Sequence, residues 1–288
     1  MNIIALRKRF YGLSLLLIAI GLVTLLLRGF NLGIDFKSGT IIELDLKESF
    51  TTGEVREVLK PLGLESSSIR SFGTSGTEVE VRTEILDEAK LGEVLDAFRA
   101  KWPNLTSQIP AQVDPVFSVE LVKQALMALA LAAVGMVIYI SWRFEFKFAI
   151  SAIVALLHDV LLVVGVFAVF QIEVNSEFIA AILTIVGYSI NDTIVIFDRI
   201  RENLQQSKRR SDLGELVNRS VQQSISRTIS TSITTLLAIG SILLLGGVTL
   251  RPLATAMVVG IVVGTYSSIF IASPIWYDWK LREQTQRS

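Results

Sequence analysis

The sequence predicts a polytopic α-helical membrane protein: six transmembrane helices, with an α+β domain of ferredoxin-like βαββαβ order inserted between the first and second. Three observations predict it. Six runs of roughly 20 mostly apolar residues occur, the length at which a helix crosses about 30 Å of hydrocarbon. Of the 288 residues, 51% are hydrophobic and only 19% charged, against about 25% charged in soluble domains. Between the first and second runs lies a stretch of mixed, periodic sequence long enough for a small folded domain.

The runs are Tyr11 to Leu27, Ala125 to Trp142, Phe148 to Phe170, Phe178 to Phe197, Ile229 to Leu245 and Leu253 to Ile275. The first and fifth are short, but Arg7, Arg9, Arg28 and Arg227 lie close enough to snorkel. The first follows Arg7, Lys8 and Arg9 without a convincing small-x-small cleavage site, and reads as an uncleaved anchor rather than a signal peptide. Basic residues set the orientation. They crowd the N-terminus, the Arg143 to Lys147 turn, the stretch 198–228 and the C-terminal tail, whereas the short alternate connections, Gln171 to Glu177 and that between the last two spans, carry only Arg251. Both termini are therefore expected on the cytoplasmic side. The chain divides into 1–28 (N-terminus and span one), 29–120 (outward, periplasmic α+β domain), 121–276 (spans two to six, with a basic amphipathic cytoplasmic loop over 198–228) and a cytoplasmic tail, 277–288. Leu213, Leu216, Val217, Val221 and Ile225 in that loop suggest an amphipathic helix at the membrane surface, with a partner-docking helix as the other option. Trp142, Trp276, Tyr277 and Trp279 fit an interfacial aromatic belt.

The inserted domain is legible element by element. Thr40 to Leu46 alternates with Ile42, Leu44 and Leu46 on one face, as a half-buried strand does. Thr51 and Glu54 have the spacing of a capping box ahead of a helix that stops near Pro61 to Gly63. Strands at Ser67 to Phe72 and Glu78 to Thr83 flank a glycine-rich turn. A helix follows from Asp87 to Lys101, and a strand over Ala111 to Ser118 completes the order. From Asp35 to Asp114 this domain carries 9 basic and 15 acidic residues, so the chain's formal neutrality is a cancellation between two environments. Its carboxylates are scattered and form no catalytic constellation.

Composition excludes several functions. The balance of 27 basic and 27 acidic residues is not that of a polybasic nucleic-acid binder. Without cysteine there is no disulfide scaffold, zinc finger or thiolate nucleophile, and one histidine makes no multi-histidine metal site. No Gly-x-x-x-x-Gly-Lys-Ser/Thr run is present, so the chain has no P-loop.

Ionisable groups inside a bilayer are costly and mark function by default. His158 and Asp159 lie in the third span and Asp192 in the fourth. Arg227 stands at the cytoplasmic end of the fifth, amid an unusual density of hydroxyls. Helical spacing puts Thr184, Tyr188, Asn191, Asp192 and Val195 on one face of span four, and Arg227, Thr231, Thr234 and Thr235 on one face of span five. The two spans run in opposite directions, so Asp192 and Arg227 share the cytoplasmic half of the membrane. A carboxylate's proton affinity depends on its burial and on the distance of a guanidinium, so relative movement of the pair suits reversible protonation. The same pair also fits a buried ion pair locking two helices, with the hydroxyls as interhelical bonds. His158 and Asp159 read equally as packing contacts or as a relay. Gly260 and Gly264 have the GxxxG spacing of close helix packing.

Gly33-Ile34-Asp35-Phe36-Lys37-Ser38-Gly39-Thr40, a turn after span one with Gly33, Asp35 and Gly39 as its motif residues, resembles the GIDFKGGT motif of the SecD/SecF family of bacterial protein-export proteins. Ser38 replaces the usual glycine, a change expected to stiffen the turn. Leu157-His158-Asp159-Val160, the run from Gly187 to Arg201, Ser226-Arg227-Thr228 and Gly264-Thr265-Tyr266-Ser267-Ser268 are similar to the same family, and the resemblance reaches from first span to last. It implies half of a resistance-nodulation-division type transporter in the bacterial inner membrane, pairing with SecD to make twelve spans. It further implies no cofactor, proton flow coupled to movement of outward domains that hold or pull a preprotein, and SecYEG, SecA and possible YajC as partners. Asp192 and Arg227 become the proton-site candidates, with His158, Asp159, Asn191 and Thr231 as candidates for relay or packing. Two rival readings are a half-transporter for lipid or drug, and an intramembrane aspartyl protease using Asp159 and Asp192 as a proton-sharing pair, although Ser189-Ile190-Asn191-Asp192 lacks the expected Gly-x-Gly-Asp. A purely structural interaction protein is the remaining alternative.

Overall fold

The computed structural model describes residues 2–33, 36, 39–72, 76–107, 111–113, 115–143, 145–206, 212–247 and 250–287. Of the motif after span one, Asp35 and Ser38 lie outside the described residues. Six helical segments are long and apolar enough to cross a membrane, matching the six apolar runs.

In the inserted domain, β1 (Gly39–Asp45) leads into α2 (Thr52–Leu59), α1 being the first span, Ile3–Arg28. Thr51 caps α2 as expected: its hydroxyl accepts from the Glu54 amide, and the Glu54 carboxylate accepts from the Thr51 backbone N–H at 2.7 Å. A 3₁₀ turn (Lys60–Leu62) then ends at Gly63, whose φ of 72° suits glycine. Next come β2 (Ser68–Phe72), β3 (Glu78–Thr83) and α3 (Glu88–Lys101, capped by Asp87). The expected single last strand is corrected. Two short strands occur instead, β4 (Thr106–Ser107) and β5 (Ala111–Val113), both pairing β1 antiparallel. Residues from Pro115 onward are already helical, because a proline fits the first turn of a helix but not a central strand.

The sheet runs β2-β3-β1-β4, antiparallel throughout, with Ile42 opposite Val81 and Leu44 opposite Val79. These four side chains face α2 and α3 and bury a core completed by Val55, Leu59, Val94 and Phe98. Replacing Thr51 by alanine removes the cap, and is expected to lower this domain's stability by about 1 kcal/mol, read as a lower denaturation midpoint. The Thr51 backbone N–H, and then the Thr51 hydroxyl, hold the Glu54 carboxyl below its usual range. The stability this lends is complete above the ordinary carboxylate range and is lost as pH falls through the depressed value.

The membrane part comprises α1, α4 (Pro115–Arg143), α5 (Phe146–Phe170), α6 (Ser176–Gln206), α7 (Leu213–Leu245) and α8 (Arg251–Ser267), continued by a π-helical turn (Ser268–Ala272) into α9 (Ser273–Arg287). Helix α7 corrects one expectation. Residues 213–228 do not form a separate surface helix: they continue into span five without a break, and Leu213, Val217 and Val221 bury against Ile3, Ile4 and Trp276 of the same chain. A periodic apolar stripe fits a bilayer surface and a protein core equally well, and here the chain's own N-terminus and last helix cover it. Trp276 is likewise core, fully buried and stacked on Phe148 at 4.6 Å, whereas Trp142 is 87% exposed as a belt residue should be.

Glycines set how closely the helices approach. A Cβ on Gly21 of α1 would lie 2.6 Å from the Cα of Gly165 on α5. Gly260 and Gly264 of α8 meet Ile185 and Ser189 of α6, the same four-residue step on both helices, so the GxxxG spacing does serve close packing.

Candidate functional site

The buried positions of α6 recur at Ser189, Asp192, Thr193, Ile196 and Ile200, the three- and four-residue steps of one helical face. Asp192 is thereby turned into the bundle and is only 3% exposed. Asn191, one residue round, faces outward with Thr184, so the expected single stripe is divided between the core and the flank. From α7, the Ser232 hydroxyl lies 3.4 Å from Asp192 Oδ2 and 2.6 Å from the hydroxyl of Thr265 on α8. Ser232 is also 2.9 Å from the Thr228 carbonyl, and Thr265 is 2.8 Å from that of Ile261. A hydroxyl has one proton to give and two lone pairs to receive with. Ser232 can therefore donate to an ionised Asp192, or turn its proton to Thr228 and accept from a protonated one, without any helix moving.

Two adjacent polar stripes run along α7. Ser224, Thr228 and Ser232 are the buried one, while Arg227, Thr231 and Thr234 lie on the exposed flank. Among the described residues no ion pair within 4.0 Å joins Arg227 to Asp192, and the Thr231 hydroxyl lies 3.1 Å from the Arg227 carbonyl and 2.9 Å from that of Thr228. Tyr188 of α6 donates to Thr235 of α7 at 3.2 Å, tying the helices one turn farther out. The buried ion pair is thus replaced by a carboxylate held through hydroxyls, with its guanidinium on the helix flank beside it.

A second polar centre meets the same buried face of α6 at Ser189, three residues before Asp192. Asp159 of α5 is fully buried; its Oδ2 accepts from Ser189 at 2.5 Å and Ser267 at 2.8 Å, and its Oδ1 lies 2.9 Å from His158 Nδ1. Polar groups from α5, α6 and α8 thus converge on one carboxylate. Beside it, Thr193 and Ser268 share a hydrogen bond of 2.8 Å where the π-helical turn begins. Among the described residues no hydrogen bond joins Asp159 to Asp192; each is bonded to different hydroxyls. Ser189, Ser267, Thr265 and Ser232 build these two centres, and the sequence underrates them. Their signal is the matched step of Gly260 and Gly264 against Ile185 and Ser189, which brings small polar residues within bonding range.

Gly33 links this bundle to the inserted domain. Its N–H donates to the Val174 carbonyl at 2.8 Å and Val174 N–H to that of Asn31 at 2.9 Å, so the root of the domain pairs with the connection between α5 and α6. A Cβ on Gly33 would meet Glu173 Oε1 at 2.8 Å and the Val174 carbonyl at 3.2 Å. Glu173 in turn pairs with Arg70 of β2. Gly39, the other described motif glycine, opens β1 opposite Val113. The helix pair that bears Asp159 and Asp192 is thus bonded directly to the inserted domain.

Residues 94–282 match the C-terminal family of SecD/SecF protein export membrane proteins, and residues 23–49 match the SecD/SecF GG motif. The protein translocase subunit SecF of Sebaldella termitidis is 41% identical over 274 residues, covering 94% of this chain and 89% of its own. The protein translocase subunit SecDF of Bacillus subtilis is 39% identical over 96% of this chain, which spans 38% of that longer protein. The crystal structure of SecDF from Thermus thermophilus, described as a translocon-associated membrane protein, superimposes with a TM-score of 0.83 at 36% identity over 97% of this chain and 38% of that one. The chain belongs to the SecD/SecF family of protein export membrane proteins.

Proposed function

We propose that the chain is a SecF-type subunit of a preprotein translocase, which together with a SecD-type partner uses proton flow into the cytoplasm to promote late translocation and release of preproteins on the outer face of the membrane. The observation that carries the reading is Asp192, a carboxylate buried in the bundle among hydroxyls that can reverse their donation. Asn191, Thr184, Arg227, Thr231 and Thr234 leave a polar flank on α6 and α7 that a bilayer would not tolerate uncovered, and a second six-helix half covers it. In the SecDF relatives this chain matches only part of a longer polypeptide, consistent with such a half being fused. SecYEG and SecA supply the preprotein, and YajC is a further candidate partner.

The working cycle follows from the groups present. A proton arriving from outside neutralises Asp192, and Ser232 turns to accept. Arg227 then faces a neutral group, so α7 rebalances against α6. The bonds of Gly33 and Arg70 to the α5–α6 connection carry the change to the outward domain. Loss of the proton to the cytoplasm restores the charge on Asp192 and the donation from Ser232. One charge crossing 100 mV supplies about 2.3 kcal/mol, enough to bias a domain between two positions.

Arg227→Met tests the reading. In vesicles with the SecD-type partner, the variant is expected to assemble normally and to lose the proton-dependent part of preprotein release. Full proton stimulation in that variant would remove Arg227 from the mechanism.

A further inference from the structure

The side of the bundle away from the polar flank carries a feature that proton coupling does not use. Between α1, α5 and α9 lies an apolar groove of 390 Å³ whose walls include Leu15, Val154, Leu157 and Leu161, with His158 at its depth. It adjoins a mixed polar cavity of 490 Å³ containing Lys147, Asp278, Trp279, Arg282 and Glu283. Tyr11 and Ile275 line both, so the two are continuous. From Lys147 to Leu161, α5 rises about 21 Å, enough to pass from the headgroup level through the roughly 15 Å of hydrocarbon in one leaflet.

The geometry points to a bound phospholipid of the cytoplasmic leaflet, with one acyl chain along the groove against His158 and the headgroup phosphate on Arg282. Charge selects Arg282. Lys147 pairs with Glu283 and Arg7 with Asp278, whereas Arg282 makes no ion pair among the described residues, and a guanidinium suits a phosphate's oxygens. The occupant is lipid because Leu15 and Leu157, on the groove walls, are 68% and 57% exposed, on a face that in a spanning protein meets hydrocarbon. The seated chain would also separate the His158–Asp159 pair from interfacial water. His158 Nε2 is buried there without a hydrogen-bond partner.

Native mass spectrometry of the complex with its partner, taken from vesicles of phosphatidylethanolamine and phosphatidylglycerol, counts retained phospholipids. Arg282→Ala is expected to lower occupancy of one site about tenfold, the effect of losing one charge-assisted hydrogen bond. Leu157→Trp, which fills the groove, is expected to empty the same site. Arg282 is exposed and makes no ion pair among the described residues, so its variant tests the site even where the larger substitution disturbs folding. Retention equal to wild type in Arg282→Ala, or in a folded Leu157→Trp, overturns the proposal.

Discussion

Asp192→Asn is expected to leave assembly with the SecD-type partner intact while preprotein release loses its response to a proton gradient. The substitution keeps the side chain's shape and an oxygen for Ser232 to donate to, so the packing around a residue only 3% exposed is retained. It removes the one group there that can gain and lose a proton. A gradient of 100 mV offers about 2.3 kcal/mol per charge, or a bias of about 50-fold between two positions of the outward domain. The variant forfeits all of it, so release should fall to the rate seen without a gradient. Co-purification with the partner, set beside release measured with and without the gradient, separates this outcome from misassembly. A variant that fails to assemble would instead show Asp192 to be a structural bond between helices.

Gly21→Val should produce the largest loss of stability. The added Cβ would meet the Gly165 backbone at 2.6 Å; backbone has no rotamer to move aside, so α1 must withdraw from α5. Overpacking of this kind costs typically about 1–3 kcal/mol, and a backbone clash with a β-branched side chain belongs at the upper end. The same α1 ends at the root of the inserted domain, where Gly33 bonds to Val174, so its withdrawal should also weaken coupling. Gly12→Val is the control, since nothing lies within 4 Å of its Cβ position; it should change stability by less than about 0.5 kcal/mol. Thermal unfolding of the two purified variants reads the difference.

What the sequence made legible was local. Apolar run length located the spans, the Thr51 to Glu54 spacing located a capped helix, alternation located β1 and a glycine-rich turn located the β2–β3 hairpin, because each signal is complete within a few residues. The site was legible only to the level of its elements. Arg227, Thr231 and Thr234 have the same helical period as Thr228 and Ser232, so spacing alone does not say which polar stripe of α7 faces inward. That is settled by α6 and α8. Asp159 was ambiguous for the same reason: its donors Ser189 and Ser267 are far away in sequence and common in type. Gly21 and Gly165 form no motif, since each is the other's partner across two helices. Trp276 resembled its neighbours until Phe148 stacked on it.

Proton flux through the assembled complex tests most directly whether Asp192 is the coupling group. With this chain and its SecD-type partner in vesicles, translocation intermediates present and an imposed inward-acid gradient, an internal pH indicator should report flux in the wild type that disappears in Asp192→Asn. Undiminished flux in that variant, or release driven by a sodium gradient at equal pH on both sides, would contradict it.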